Sequence, residues 1–180
     1  MLDKLDFLTP TTLKVLEYFL ANSRNEYHER EIARNAKISN GSANKILRRL
    51  AELSLLKKTR KGRMVFYKLN AEDPVVKQFK ILNNIWILRA FVAENKERTN
   101  KIILFGSCSE GTDINESDID IVILTDNKTS LMDNISRFNR KNERNISPLI
   151  LNETEFAKMK REDRPLYERI DRGVILWETA

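Results

Sequence analysis

Residues 101–124 read KIILFGSCSEGTDINESDIDIVIL. The stretch opens on Lys101-Ile102-Ile103-Leu104-Phe105, an apolar run of strand length, and breaks at Gly106-Ser107. A polar spacer, Cys108 to Ser117, leads into a second run, Asp118-Ile119-Asp120-Ile121-Val122-Ile123-Leu124. Side chains alternate along a strand, so Asp118 and Asp120 share a face, their attachment points about 6–7 Å apart. Two carboxylates on a strand otherwise made of Ile, Val and Leu are costly to bury as isolated ions. That cost falls if they hold a divalent cation through oxygen ligands. The Gly-Ser turn permits close backbone approach and offers N–H donors and a hydroxyl, which suit a phosphate. A phosphate beside a carboxylate-bound Mg²⁺ is the arrangement for attack on an α-phosphate with pyrophosphate as leaving group.

On these residues the segment LFGSCSEGTDINESDIDIVIL resembles the hallmark of the DNA polymerase β-like nucleotidyltransferase superfamily in its minimal form. The resemblance covers roughly residues 97–178. It implies an α/β domain with a mixed sheet. It further implies that Gly106 and Ser107 hold a nucleoside triphosphate (NTP), with Gly111 and Ser117 in supporting nucleotide-binding positions. Asp118 and Asp120 would be the catalytic, metal-binding pair for Mg²⁺ or Mn²⁺. Minimal members of this type are often antitoxins, which implies a separate toxin-like protein partner. The sequence departs from the pattern in two places. The later strand expected to carry a third carboxylate, Asn145 to Leu151, contains no acid, although Glu143 precedes it and Glu153 and Glu155 follow. Glu110 stands in the spacer where the family frequently has Arg.

The first seventy residues have a different character. Residues 1–70 carry 15 Lys and Arg against 7 Asp and Glu, a net of +8, and residues 71–180 carry 17 against 19, a net of −2, giving the chain its +6. A basic front part beside a slightly acidic remainder points to two modules, with nucleic acid as partner of the first. Thr9-Pro10-Thr11 predicts a helix start. Leu13, Val15, Leu16, Phe19 and Leu20 continue that helix to about Ala21. A short helix is expected from about His28 to Ala36. A third follows Ile38-Ser39-Asn40-Gly41, with Ala43, Ile46, Leu47, Leu50 and Leu53 as its core stripe. Two extended runs around Arg60-Lys61-Gly62-Arg63 then predict a β-hairpin. Three helices and a basic hairpin resemble the winged helix-turn-helix of bacterial and archaeal regulators. In that reading the third helix enters the major groove of double-stranded DNA through Asn40, Ser42, Asn44 and Lys45, with Arg48 and Arg49 on the same face. Arg60, Lys61 and Arg63 of the wing supply salt-dependent contacts to the backbone or minor groove.

Asp73-Pro74 opens a further helix to about Asn95, with Val76, Phe79, Leu82 and Trp86 along one side and a broad apolar face. Two roles fit it: packing against both domains, or forming the seam of a homodimer. Leu131 to Arg144 reads as a helix whose Arg137, Arg140, Lys141 and Arg144 form a basic face. Phe156 to Ile170 reads as a helix interrupted near Pro165, and Gly173 to Trp177 as a terminal strand. The expected organisation is a winged helix-turn-helix over residues 1–72, a connector helix over 73–96 and a minimal nucleotidyltransferase domain over 97–180. No apolar run approaches the roughly 18–20 residues of a membrane span, and no export signal is seen, so a cytoplasmic protein is expected. With a single cysteine, Cys108, intramolecular disulfides and multi-cysteine zinc sites are excluded. Two functional readings remain. One is a DNA-binding protein that binds NTP and a divalent cation and transfers a nucleotide to an acceptor. The other is a regulator or antitoxin whose second domain is catalytically weak and serves as a sensor or partner-binding module.

Overall fold

The computed structural model describes residues 5–179, apart from the side chains of residues 129 and 130. The chain divides into two compact units, Met1–Lys77 and Gln78–Ala180. The first contains α1 (Pro10–Ala21), β1 (Glu26–His28), α2 (Glu29–Asn35), α3 (Asn40–Glu52), β2 (Leu56–Lys61) and β3 (Met64–Leu69). Local capping sets these helix starts. Thr9 accepts from the Thr12 N–H ahead of Pro10, and Ser39 accepts from the Ser42 N–H. His28 and Glu31 form a reciprocal capping box on α2. The sheet runs β1-β3-β2, all antiparallel, with Arg60 opposite Val65 and Lys61 opposite Met64 at the hairpin tip. Three helices and this hairpin make a winged helix. Strand β1 was not expected, because its three residues are too short to show a period of two. Val15, Leu16, Phe19, Ile32, Ala43, Leu47 and Leu50 are buried, whereas Leu13 is exposed and Ile46 and Leu53 are only half-buried.

Helix α4 (Pro74–Asn95) begins on the Asp73 carboxylate, which accepts from the N–H groups of Val75 and Val76. The division into units falls within this helix. Beyond it lie β4 (Lys101–Leu104), α5 (Ser107–Glu110), β5 (Ile119–Leu124), α6 (Thr129–Lys141), β6 (Ile146–Leu151), α7 (Glu153–Glu162), α8 (Arg164–Asp171) and β7 (Val174–Glu178). The four strands form a mixed sheet in the order β6-β5-β4-β7, with only β5 and β6 parallel. Each sheet face has its own core. Ile119, Ile121 and Ile123 pack with Leu88 and Phe91 of α4 and Leu131, Ile135 and Phe138 of α6. Val122 and Leu124, pointing the other way, pack with Phe156 and Met159 of α7 and Leu166 and Ile170 of α8. This α/β unit follows the winged helix, as the sequence predicted.

The expected apolar side of α4 is corrected in part. Val76 is buried, but Leu82 is 55% and Trp86 66% exposed. The buried side carries Lys80, Asn84 and Asn95 beside Leu88 and Phe91, so hydrophobic spacing selects the wrong stripe. Among the described residues no helix is long and apolar enough to cross a membrane.

Ile121 is fully buried at the centre of the sheet, so Ile121→Ala removes transfer energy and leaves a cavity. Urea unfolding followed by tryptophan fluorescence is expected to show a loss of about 2–5 kcal/mol. Both tryptophans, Trp86 and Trp177, lie in this unit.

Candidate functional site

The alternation that sends Val122 and Leu124 toward α7 and α8 sends Asp120 the same way, and Asp118, just ahead of β5, lies close enough to act on the Asp120 charge. Asp118 is exposed and Asp120 half-buried. The parallel register sets Ser147 of β6 beside Asp120. The strand designated for a third acid therefore offers a hydroxyl at that place. Glu153 and Glu155 do not supply the missing acid. Glu155 is spent on the α7 capping box and an ion pair with Lys128, and Glu153 lies near Asn100. Glu143 is exposed in the turn before β6. Among the described residues no group of three His, Cys, Asp or Glu side chains is placed to hold a metal.

Gly106 shows why the turn must be glycine. Its φ is +67°, and a Cβ there would stand 2.8 Å from Asp120 Oδ2 and 3.5 Å from Arg169 Nη2. A side chain would be strained and would collide with the carboxylate. Burial raises the Asp120 carboxyl above its ordinary range. The Arg169 guanidinium opposes this, Asp118 adds to it, and the Ser147 hydroxyl opposes it. Ser107 opens the short helix α5, and Gly111 closes it in the left-handed conformation at φ 68°. Ser117 turns its hydroxyl inward to accept from the Ile114 N–H at 3.3 Å, so its part is to shape the loop before Asp118.

That loop is fixed by a buried polar network. Asp113, 5% exposed, pairs through Oδ2 with Arg144 Nη1 at 2.9 Å, and its Oδ1 lies 3.7 Å from Lys80 Nζ. Lys80 donates to the Asp113 carbonyl, leaving Asp113 Oδ1 without a hydrogen-bond donor among the described residues. The Arg144 guanidinium also donates to Asn84 Oδ1, to the Ser117 carbonyl and to Cys108 Sγ, each at 2.9 Å. Asn84 in turn donates to the Cys108 carbonyl at 3.0 Å, and Cys108 Sγ donates to the Asp118 carbonyl at 3.6 Å. Burial pushes the Cys108 thiol up, against the pull of Arg144. Arg144 is thus a structural brace, not part of a solvated basic face, and Cys108 does more than pack. One signal of this network is present in the chain itself: a lysine, Lys80, set between the apolar residues Val76 and Leu88. Nothing in the sequence singled out Asp113 or Arg169.

The residues present fit one divalent cation. Asp118 and Asp120 would supply oxygen ligands, and the lack of a side chain at Gly106 keeps the space beside Asp120 Oδ2 clear. A second metal lacks a further acid to hold it.

In the winged helix, Asn40, Lys45, Arg48 and Arg63 are exposed, and no ion pair engages the three cations among the described residues. Ser42 is tied into the α3 cap, and Asn44 donates to Glu29 Oε2 at 2.5 Å, bracing α3 on α2. Arg49 pairs with Asp6 at 3.4 Å and Glu52 at 3.9 Å. Arg60 donates to the Gly62 carbonyl, and Lys61 pairs with Glu26.

A mixed sheet with paired strand acids beside a tight Gly-Ser turn defines a nucleotidyltransferase-type unit. The family described as Polymerase beta, Nucleotidyltransferase matches residues 89–180, half of the chain, and the chain belongs to it. No curated protein matches. Three solved structures share weaker likeness. A candidate transcriptional regulator from Methanosarcina mazei Go1 is 18% identical, over 50% of this chain and 78% of that one, with a TM-score of 0.37. A double mutant of Lactococcus lactis ZitR is 23% identical, over 52% of this chain and 64% of that one, at 0.39. A candidate nucleotidyltransferase from Sulfolobus solfataricus is 17% identical, over 59% of this chain and 91% of that one, at 0.36. The match to ZitR spans less than two thirds of its length.

Removing Asp113 leaves Lys80 and Arg144 as uncompensated buried charges. Asp113→Ala is expected to cost about 3–5 kcal/mol in chemical denaturation. Arg137→Ala, which breaks an exposed pair with Glu94, is expected to change stability by less than about 1 kcal/mol.

Proposed function

We propose that this chain is a DNA-binding protein whose nucleotidyltransferase unit binds an NTP together with Mg²⁺ or Mn²⁺. The observation that supports the reading is Asp120 set against the glycine turn at Gly106, with Asp118 just ahead of the same strand. Asp118 and Asp120 would hold the cation. When bound, the ion would neutralise phosphate charge and stabilise a pyrophosphate leaving group. Gly106 lets a phosphate approach the backbone, and Ser107 presents its hydroxyl at the start of α5. The buried Asp113 network keeps the Ser117–Asp118 backbone in place, so the acids need no rearrangement when the ligand arrives.

With Ser147 beside Asp120, no third acid joins Asp118 and Asp120 among the described residues, and losing a base costs orders of magnitude in rate. This favours slow transfer, or a regulator or antitoxin in which nucleotide binding is sensed. The exposed Leu82 and Trp86 of α4 support a protein contact, either a homodimer through this helix or a separate toxin-like partner. In the first unit the exposed α3 face and wing support binding to double-stranded DNA. A protein of this kind would act in the cytoplasm.

With labelled NTPs and Mg²⁺, wild type is expected to bind nucleotide and transfer little label, while Asp118→Ala/Asp120→Ala binds at least tenfold more weakly. Binding that is indifferent to both substitutions would overturn the assignment. In mobility-shift titrations with the gene's own promoter region, Lys61→Glu/Arg63→Glu is expected to weaken binding at least tenfold and flatten its salt dependence. Absence of wild-type binding at low salt would refute DNA recognition.

A further inference from the structure

Arg169 stands beside this site without a structural task of its own. It lies in the last turn of α8, and its neighbours there are engaged. Arg164 pairs with Glu168 at 2.7 Å, and Arg172 donates to the Glu168 carbonyl at 3.1 Å. Among the described residues the Arg169 guanidinium has no ion-pair or hydrogen-bond partner. Its backbone is nonetheless held firmly. Ile170 next to it is fully buried against Val122 and Leu124. The turn after α8 presses on the sheet so closely that a Cβ on Gly173 would stand 2.5 Å from the Leu104 carbonyl oxygen. The packing that fixes α8 thus delivers a free guanidinium to the face bearing Asp118 and Asp120. Nη2 would be 3.5 Å from a Cβ on Gly106, a point that lies 2.8 Å from Asp120 Oδ2.

The charge count gives this placement a consequence. Two acids and one guanidinium, with Ser147 in place of a third acid, leave the pocket at −1. One divalent cation turns that to +1, which suits a polyphosphate; a third carboxylate would leave the same pocket neutral with the ion bound. A guanidinium also presents a planar fork of N–H donors that matches phosphate oxygens in pairs.

We infer that Arg169 is a phosphate-binding residue of this site, gripping the polyphosphate tail of an NTP whose cation Asp118 and Asp120 hold. It supplies the positive charge that a second metal would otherwise bring. The inference rests on the nucleotide-binding reading above and adds to it a residue and a ligand part, the β- and γ-phosphates. Arg169 is exposed, so its replacement leaves both cores intact.

The test uses the full chain and three probes: Mn²⁺ alone by paramagnetic resonance, and fluorescent non-hydrolysable NTP and NMP analogues with Mg²⁺ by anisotropy. Arg169→Ala is expected to weaken NTP binding at least tenfold and to leave NMP binding within about twofold. Mn²⁺ alone is expected to bind as well or better, because a cation has been removed from beside Asp120. Arg169→Lys is expected to restore part of the NTP affinity. NTP affinity unchanged in Arg169→Ala would overturn the assignment, as would a parallel fall for all three probes, which would mark a structural role. A wild type that binds Mn²⁺ but neither nucleotide would overturn the nucleotide reading and this inference together. That outcome is separable from the others because it appears before any substitution.

Discussion

The second unit is organised around a buried carboxylate. Asp113 sits among an ammonium from α4 and a guanidinium from the turn before β6, all three nearly out of water. Such a cluster is weak as a source of net stability, since desolvation offsets most of the attraction. Its value lies in geometry. The same Arg144 that neutralises Asp113 donates to the Ser117 carbonyl and to Cys108 Sγ, which itself reaches the Asp118 carbonyl. A spacer that would otherwise be a polar loop is thereby tied to a helix and a strand. The acid pair that follows is presented at one position. An apolar replacement could fill the volume but could not reach those carbonyls.

The sheet face that carries Asp120 is also the face covered by α7 and α8. This brings two groups to the acids that lie far along the chain, Ser147 and Arg169. Both make the site less negative than a three-carboxylate site. Asp120 feels the competition directly, with burial and Asp118 raising its carboxyl and Arg169 and Ser147 pulling it down. Under the proposed reading, that balance would suit a single cation carrying its own phosphates.

In the winged helix, basic residues divide into those spent on the fold and those left free. Arg49, Arg60 and Lys61 have partners within the unit, while Lys45, Arg48 and Arg63 have none among the described residues. Asn44 belongs to the brace between α2 and α3. Exposed cations on a helix face and a wing tip create a local positive field even where individual contacts are weak, and that field is strongly screened by salt.

The order of elements, the winged helix and the Gly-Ser turn with its two strand acids were legible from sequence, because each depends on local pattern. Strand alternation predicted one face for Asp118 and Asp120, and Thr9 with Pro10 marked a helix start. Helix α4 was misread for an equally physical reason: its buried side contains Lys80 and Asn84, whose burial is tolerable only because Asp113, Arg144 and a carbonyl meet them there. Apolar periodicity has no term for such partners. The pairing of Arg144 with Asp113, the register that sets Ser147 beside Asp120 and the arrival of Arg169 at Gly106 join residues that are distant in sequence. Strand register and the packing of helices on the two faces of the sheet together decide which of those residues meet.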